Sequence, residues 1–393
     1  MRRRELCRLA GVSMAALSLP PLMLAKDAEQ GSKKVVWVML RGALDPLHTL
    51  VPTFDPDLAK LRPTLYKAIK QDVLALSNGY ALHPSLVNLH AWYQAKDLLP
   101  VVAVSSGYPS RSHFDGQDFL EAGLGRIDHE SGWLGRAVQA KNKRALAIAR
   151  ATPISLRSDA TVNTWYPSRL QDASTATYES LLKLYEQDEQ LSTLLQDGLD
   201  LQEQANSMQT TQRQGRFIDL VRSCASLMVG PQGNDCAMLE LGGWDTHKGQ
   251  ANRLARSLKE LDKGLAVLKE GLGSEWQNTV VVVGTEFGRT AKENGTGGTD
   301  HGTASALFFA GGAINGGRVL GQWPGLSESA LFQKRDLRPT SNVYSWLAAV
   351  LGEHWQMSQQ ELAQVFPSAS TLANSASLRL VSRSGLSRSK PMT

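Results

Sequence analysis

Short runs of consecutive apolar residues recur along the chain at Val35–Leu40, Leu99–Val104, Ala145–Ala149, Cys236–Leu241, Thr279–Val283 and Ala306–Ala310. They are continuous, not alternating, and rich in Val, Ala or Leu. A strand covered on both faces reads this way, because neither set of side chains meets water. Amphipathic stretches lie between them. The clearest runs from Gln250 to Leu272, with leucines at 254, 258, 261, 265, 268 and 272. Intervals of four and three put those leucines on one stripe of a helix. Strands alternating with helices predict an α/β fold, a three-layer sandwich with a mainly parallel sheet and helices on both faces. Residues 175–228 break the alternation: they are rich in Gln, Glu and Leu and poor in β-branched residues. They predict two long helices inserted beside the sheet.

Composition narrows the class. The chain has 393 residues, 42% of them apolar and 20% charged, which excludes collagen-like, disordered and disulfide-scaffold proteins. The formal charge of +5 invites a nucleic-acid reading until it is located. Residues 1–25 carry a net +3 and residues 376–393 a net +4, so residues 26–375 stand at −2. Trp244, Trp276 and Trp323 have no basic stripe around them, so nucleic acid is not an expected partner.

The first 25 residues pair an arginine-rich start with a short apolar stretch interrupted by Ser and Pro, as in an export signal. Arg3-Arg4-Glu5-Leu6 fits the twin-arginine address, which makes the export machinery an expected partner and the periplasm or exterior the expected location. No later apolar run approaches the roughly 18 residues needed to cross a bilayer, so stable membrane insertion is not expected after cleavage. The folded body is expected over 26–375, and the Ser/Arg-rich segment 376–393 is expected to be a mobile basic tail. Cys7 lies in the expected signal. Cys224 and Cys236 form either one disulfide or two buried thiols.

Candidate chemistry collects in the polar loops after the strands, where open α/β sheets place their functional groups. The loops contain Arg41-Gly-Ala-Leu-Asp45, then Arg111-Ser112-His113-Phe-Asp115, then Gly242-Gly-Trp-Asp245-Thr-His247. The last runs from Glu286-Phe-Gly-Arg289 into Asn294-Gly-Thr-Gly-Gly-Thr-Asp300-His301-Gly302. Asp245 with His247, and Asp300 with His301, pair carboxylate oxygen with imidazole nitrogen, which suits Zn²⁺ or Mn²⁺ better than Ca²⁺. The Gly-rich loops at 295–298 and 311–317 lack both dinucleotide and P-loop patterns and read as turns.

These residues carry a family resemblance. Arg111-Ser-His-Phe-Asp-Gly-Gln, Gly242-Gly-Trp-Asp-Thr-His, Glu286-Phe-Gly-Arg-Thr and the run from Asn294 to Gly302 resemble the blocks of a bacterial, twin-arginine-exported family. That family is classed as a domain of unknown function, number fifteen-oh-one, within the alkaline phosphatase and sulfatase superfamily. The first block differs, with Pro46 where the family usually has Gly. The resemblance implies an alkaline phosphatase-like fold holding one or two divalent metals. It implies metal ligands at Asp245, His247 and His301, and a second position defined by Asp45, Glu286 and Ser112. Phe287 stands where the superfamily has an imidazole and cannot ligate, so the second position loses an imidazole unless His113 or Asp300 substitutes. Ser112 is the implied nucleophile, with Ser110 its competitor, and Arg111 and Arg289 are candidates to grip the anionic group of a small ester substrate. The expected function is metal-dependent hydrolysis of a phosphate or sulfate ester. The alternative is an exported, non-catalytic binding or assembly protein with a degenerate metal site.

Overall fold

The computed structural model describes residues 32–167, 175–206, 216–369 and 379–381. The expected signal segment and most of the expected basic tail lie outside the described residues.

Eight strands form the main sheet: β1 (Lys34–Leu40), β5 (Leu98–Ser105), β6 (Ala145–Ala147), β7 (Val162–Thr164), β8 (Cys236–Leu241), β9 (Thr279–Thr285), β10 (Ser305–Ala310) and β11 (Ser341–Asn342). Their order across the sheet is β11-β5-β10-β9-β1-β8-β6-β7. β1 lies at the centre, paired in parallel with β8 and β9, with Val35 opposite both Cys236 and Val280. β10 runs antiparallel to both of its neighbours. A small second sheet is built from β2 (Leu50–Pro52), β3 (Leu74–Ala75) and β4 (Tyr80–Leu82).

The α/β sandwich read from the apolar runs is present, and β1 shows why the runs were continuous. Val36, Val38 and Leu40 join a core with α1 (Val87–Gln94), α6 (Phe217–Met228) and α7 (Gln250–Leu272). Val35, Trp37 and Met39 point to the other face, against α2 (His113–Ala122), α3 (Trp133–Ala140), α8 (Val343–His354) and α9 (Gln359–Val365). With both faces covered, alternate positions are equally dry. All six leucines of α7 that set the stripe are buried.

The region read as two inserted helices holds three: α4 (Thr175–Leu184), α5 (Glu189–Asn206) and α6. α6 belongs to the core, with Phe217, Leu220, Val221 and Cys224 buried among the leucines of α7. Cys224 and Cys236 are free and buried, and burial pushes both thiols up from their ordinary pKa. Part of the expected tail is anchored: Leu380 is buried in the second core, and Val381 bridges Ile314. No described helix is long and apolar enough to cross a membrane.

Because every strand of the main sheet except β10 runs the same way, β1, β5, β8 and β9 end at one rim of that sheet. β10 starts at that rim. The loop from β9 into β10 therefore delivers Glu286, Arg289 and His301 to the place where the other loops end.

Candidate metal centre

Asp245 follows β8, and its Oδ1 is the meeting point of the site. His247 Nε2 lies 3.0 Å from it, His301 Nε2 3.3 Å and His113 Nε2 3.4 Å. Ligand atoms of His113, Asp245 and His301 lie within 4.8 Å of one another, and this is the group among the described residues with metal-holding geometry. His247 Nε2 is 2.9 Å from His301 Nε2, which ties the third imidazole to the group.

The far nitrogen of each ring explains this arrangement. His113 Nδ1 meets Glu286 Oε1 at 2.7 Å, His247 Nδ1 meets Asp300 Oδ1 at 3.1 Å, and His301 Nδ1 meets the Arg111 carbonyl at 2.8 Å. Each partner only accepts, so each Nδ1 is the N–H, and in a neutral ring Nε2 then carries a lone pair. Three lone pairs therefore face one carboxylate oxygen, and two of them face each other across 2.9 Å. A bound cation, or a proton taken up by one of the rings, reconciles that geometry. His113 Nε2 is moreover a buried nitrogen with no hydrogen-bond partner. Acceptors behind metal-bound imidazoles are the usual means of fixing tautomer and aim. The donor set, imidazole nitrogen with one carboxylate, fits zinc and leaves room for an open position if three residues ligate.

Burial opposes the ionised form of Asp245, but the Arg289 guanidinium at 2.6 Å and the surrounding imidazoles hold its carboxyl below the usual range. Burial likewise opposes ionisation of Glu286, and hydrogen bonds from His113, Thr285 and Gln117 overcome it. For His113, desolvation is outweighed by Glu286 and Asp245, which raise its pKa. His301 is lowered by desolvation despite its bond to Arg111.

Local structure sets these positions. Ser112 is the N-cap residue of α2 and His113 the first residue inside it. The Ser112 side chain makes no capping bond. Arg111, which precedes it, bonds His301 through its carbonyl, and His113, which follows, is in the cluster, so Ser112 is fastened to the site on both sides. Phe287, where an imidazole was expected, stacks on the His113 ring with centroids 5.0 Å apart. It supplies a wall and no ligand. Gly42, at φ +120°, lets the loop after β1 approach so closely that a Cβ there would lie 2.7 Å from the Asp245 nitrogen.

The structure thus gathers Asp245, His247 and His301, and adds His113, with Ser112 beside it in the chain. Other expected residues have different work. Asp45 is wholly buried: Arg62 Nη1 donates to its Oδ2 at 2.6 Å, Gln250 Nε2 donates to the same oxygen, and Leu47 N donates to Oδ1 at 3.0 Å. It caps the short helix Pro46–Thr49 and neutralises Arg62. Both of its oxygens are committed to protein donors, so it does not stand as a ligand. Glu286 and Asp300 stand behind imidazoles. Arg289 has no exposed surface, and it donates to Ala43 O, Trp244 O, Thr299 O and Asp245, which locks three loops together and leaves no fork for a substrate. Arg111 is held by Asp336 at 2.7 Å and by Gln333 at 3.1 Å. Of the two residues named as substitutes for the missing imidazole, His113 turns its Nε2 to Asp245 while Asp300 stands behind His247; its place next to Ser112 at a helix start was the available signal.

Several solved structures are similar to this chain. The C-terminal periplasmic domain of EcEptC from Escherichia coli, in complex with Zn, is 10% identical over 72% of this chain and 73% of that one, with a TM-score of 0.36. Alkaline phosphatase from the Antarctic bacterium TAB5 is 14% identical over 71% of this chain and 92% of that one, with a TM-score of 0.35. The soluble domain of lipooligosaccharide phosphoethanolamine transferase A from Neisseria meningitidis is 11% identical over 82% and 88%, with a TM-score of 0.38. At such identities and TM-scores no activity transfers to this chain. No curated protein matches. A family model described as "Protein of unknown function (DUF1501)" matches residues 102–366, more than half of the chain and every element that bears the cluster, and the chain belongs to that family.

Proposed function

We propose that this protein is an exported, metal-dependent hydrolase of phosphate or sulfate esters, working with one divalent ion, zinc or manganese, and with Ser112 as nucleophile. The observation that carries the reading is the convergence of three imidazole Nε2 atoms on Asp245 Oδ1, each ring locked from behind by an acceptor. His113, Asp245 and His301 would hold the ion, with His247 at its border. One ion and not two is favoured because Arg62 already neutralises Asp45. A bound divalent ion lowers the pKa of an adjacent hydroxyl and neutralises oxyanion charge.

The chain's own groups account for the rest. Ser112 Oγ attacks phosphorus or sulfur, forming the seryl ester as the bond to the leaving alcohol breaks. Water then cleaves the seryl ester and restores the hydroxyl. The amides of the first turn of α2, unsatisfied within the helix, point toward the anionic group, and the helix dipole favours its charge. Phe287 and the packed loops keep bulk water from the inner side of the cluster. The paired arginines at the start of the chain support delivery through the twin-arginine machinery.

The test is elemental analysis of the exported, mature protein together with hydrolysis of an aryl phosphate and an aryl sulfate by wild type and Ser112→Ala. About one equivalent of metal, and turnover of one ester class that Ser112→Ala loses while keeping its metal, is the expected result. Metal-free protein with no Ser112-dependent turnover replaces this reading with the non-catalytic one.

A further inference from the structure

Behind the cluster, one face of α2 carries a row of polar side chains, of which the proposed chemistry uses only His113. His113, Gln117 and Glu121 are spaced four apart, so they lie one above another on the helix. Gln117 Nε2 donates to Glu286 Oε1 at 3.1 Å, the same oxygen that meets His113 Nδ1. At its other end Gln117 Oε1 accepts from Arg41 Nη1 at 2.7 Å. Arg41 Nη2 is held by Glu121 Oε1 at 2.7 Å and Glu240 Oε1 at 2.5 Å. Glu121 Oε2 in turn accepts from the Ser155 nitrogen at 3.0 Å.

We propose that Gln117 is a positioning residue for the metal centre: its amide joins the Arg41 guanidinium to the Glu286 carboxylate and thereby fixes the tautomer and aim of His113. The inference rests on the metal-site reading above. A guanidinium only donates and a carboxylate only accepts. A side chain that links them must accept at one end and donate at the other, and the primary amide of Gln does both. A glutamate at 117 would set carboxylate against Glu286, and a lysine would set cation against Arg41. Glu286 Oε1 takes three donors in all, from Gly42 N at 2.9 Å, His113 and Gln117. Gln117 is the one that ties this oxygen to the Arg41 anchor on β1 and β8. Without it, Arg41 Nη1 loses its acceptor and Glu286 Oε1 keeps only Gly42 N beside the His113 ring.

The test uses zinc alone as probe, titrated into metal-stripped, full-length mature protein in competition with a chromophoric chelator. Gln117→Met and the gentler Gln117→Asn, whose amide is too short to span the gap, are compared with wild type and with Gln139→Met on the exposed face of α3. Loss of the direct outer partner of a metal-bound imidazole weakens metal binding about 10–100-fold; Gln117 acts one step behind that partner, Glu286, so a smaller, several-fold loss is expected for both Gln117 variants and not for Gln139→Met. The visible spectrum of the cobalt-substituted protein, which reports ligand geometry and not overall stability, should shift in the same two variants. Zinc affinity within about twofold of wild type in Gln117→Asn, with an unchanged cobalt spectrum, overturns the inference. Failure of wild type to bind zinc instead overturns the metal-site reading on which it stands.

Discussion

Replacing Asp45 by asparagine separates two roles for the acid that follows the first strand. Asp45 and Arg62 are 0% and 1% exposed and meet at 2.6 Å. Asparagine is also a good N-cap, so the bond from Leu47 N survives. The charge does not, and one amide corner must present N–H toward the donors of Arg62 or Gln250. Removing one partner of a buried pair leaves the other ion uncompensated, at a cost of about 3–5 kcal/mol. That is a large share of the roughly 5–15 kcal/mol by which domains are usually stable. Urea unfolding followed by circular dichroism should show a clearly lower midpoint with unchanged slope. Zinc titration of the folded variant should still give one ion, bound within a few-fold of the wild-type affinity, because Asp45 is outside the cluster. An unchanged midpoint with a lost or weakened ion would refute the structural role and return Asp45 to the metal.

Three further outcomes follow from the same geometry. Glu286→Leu removes the acceptor behind His113 and should weaken zinc about 10–100-fold, whereas His301→Ala removes a ligand and should weaken it further; equal, negligible effects in the chelator competition would count against the cluster. Gly302→Ala would put a Cβ 2.3 Å from the Arg289 backbone carbon; it should destabilise the protein by about 1–3 kcal/mol and weaken zinc, since Arg289 and His301 are bridged there. His354 is buried, and desolvation pushes its pKa down from 6.5 to about 4. The unfolded chain therefore binds more protons between those values, so stability is full above about pH 6.5 and falls as pH drops toward 4, by up to about 3 kcal/mol from this group. The slope of unfolding free energy against pH in that window should be shallower in His354→Asn, and an identical slope would exclude the contribution.

How far the sequence reading reached depends on what kind of signal each residue carried. All six apolar runs are strands because a strand dry on both faces leaves an unbroken record in one stretch of chain. Val162–Thr164 and Ser341–Asn342 left none: they are short, polar edge strands added by pairing with β6 and β5. Phe217–Met228 was grouped with α4 and α5, yet its apolar face is matched to α7, a partner not visible from composition. Asp245, His247 and His301 were legible because the loops after the strands name them within a few residues. Asp45 carried an equally good local signal and proved to be Arg62's partner, since nothing around residue 62 announces that its guanidinium turns back beneath the first loop.

Chain order alone determined the class of fold, the rim where chemistry would gather and most of the residues that gather there, because periodicity and loop placement are local properties. Tertiary structure decided which of those residues face inward and which stand behind. Glu286, Asp300 and the Arg111 carbonyl hold the far sides of three imidazoles that the sequence places up to 188 residues from the first of them. A ligand and its support differ only in which atom points where, and that is set by packing between segments distant in the chain.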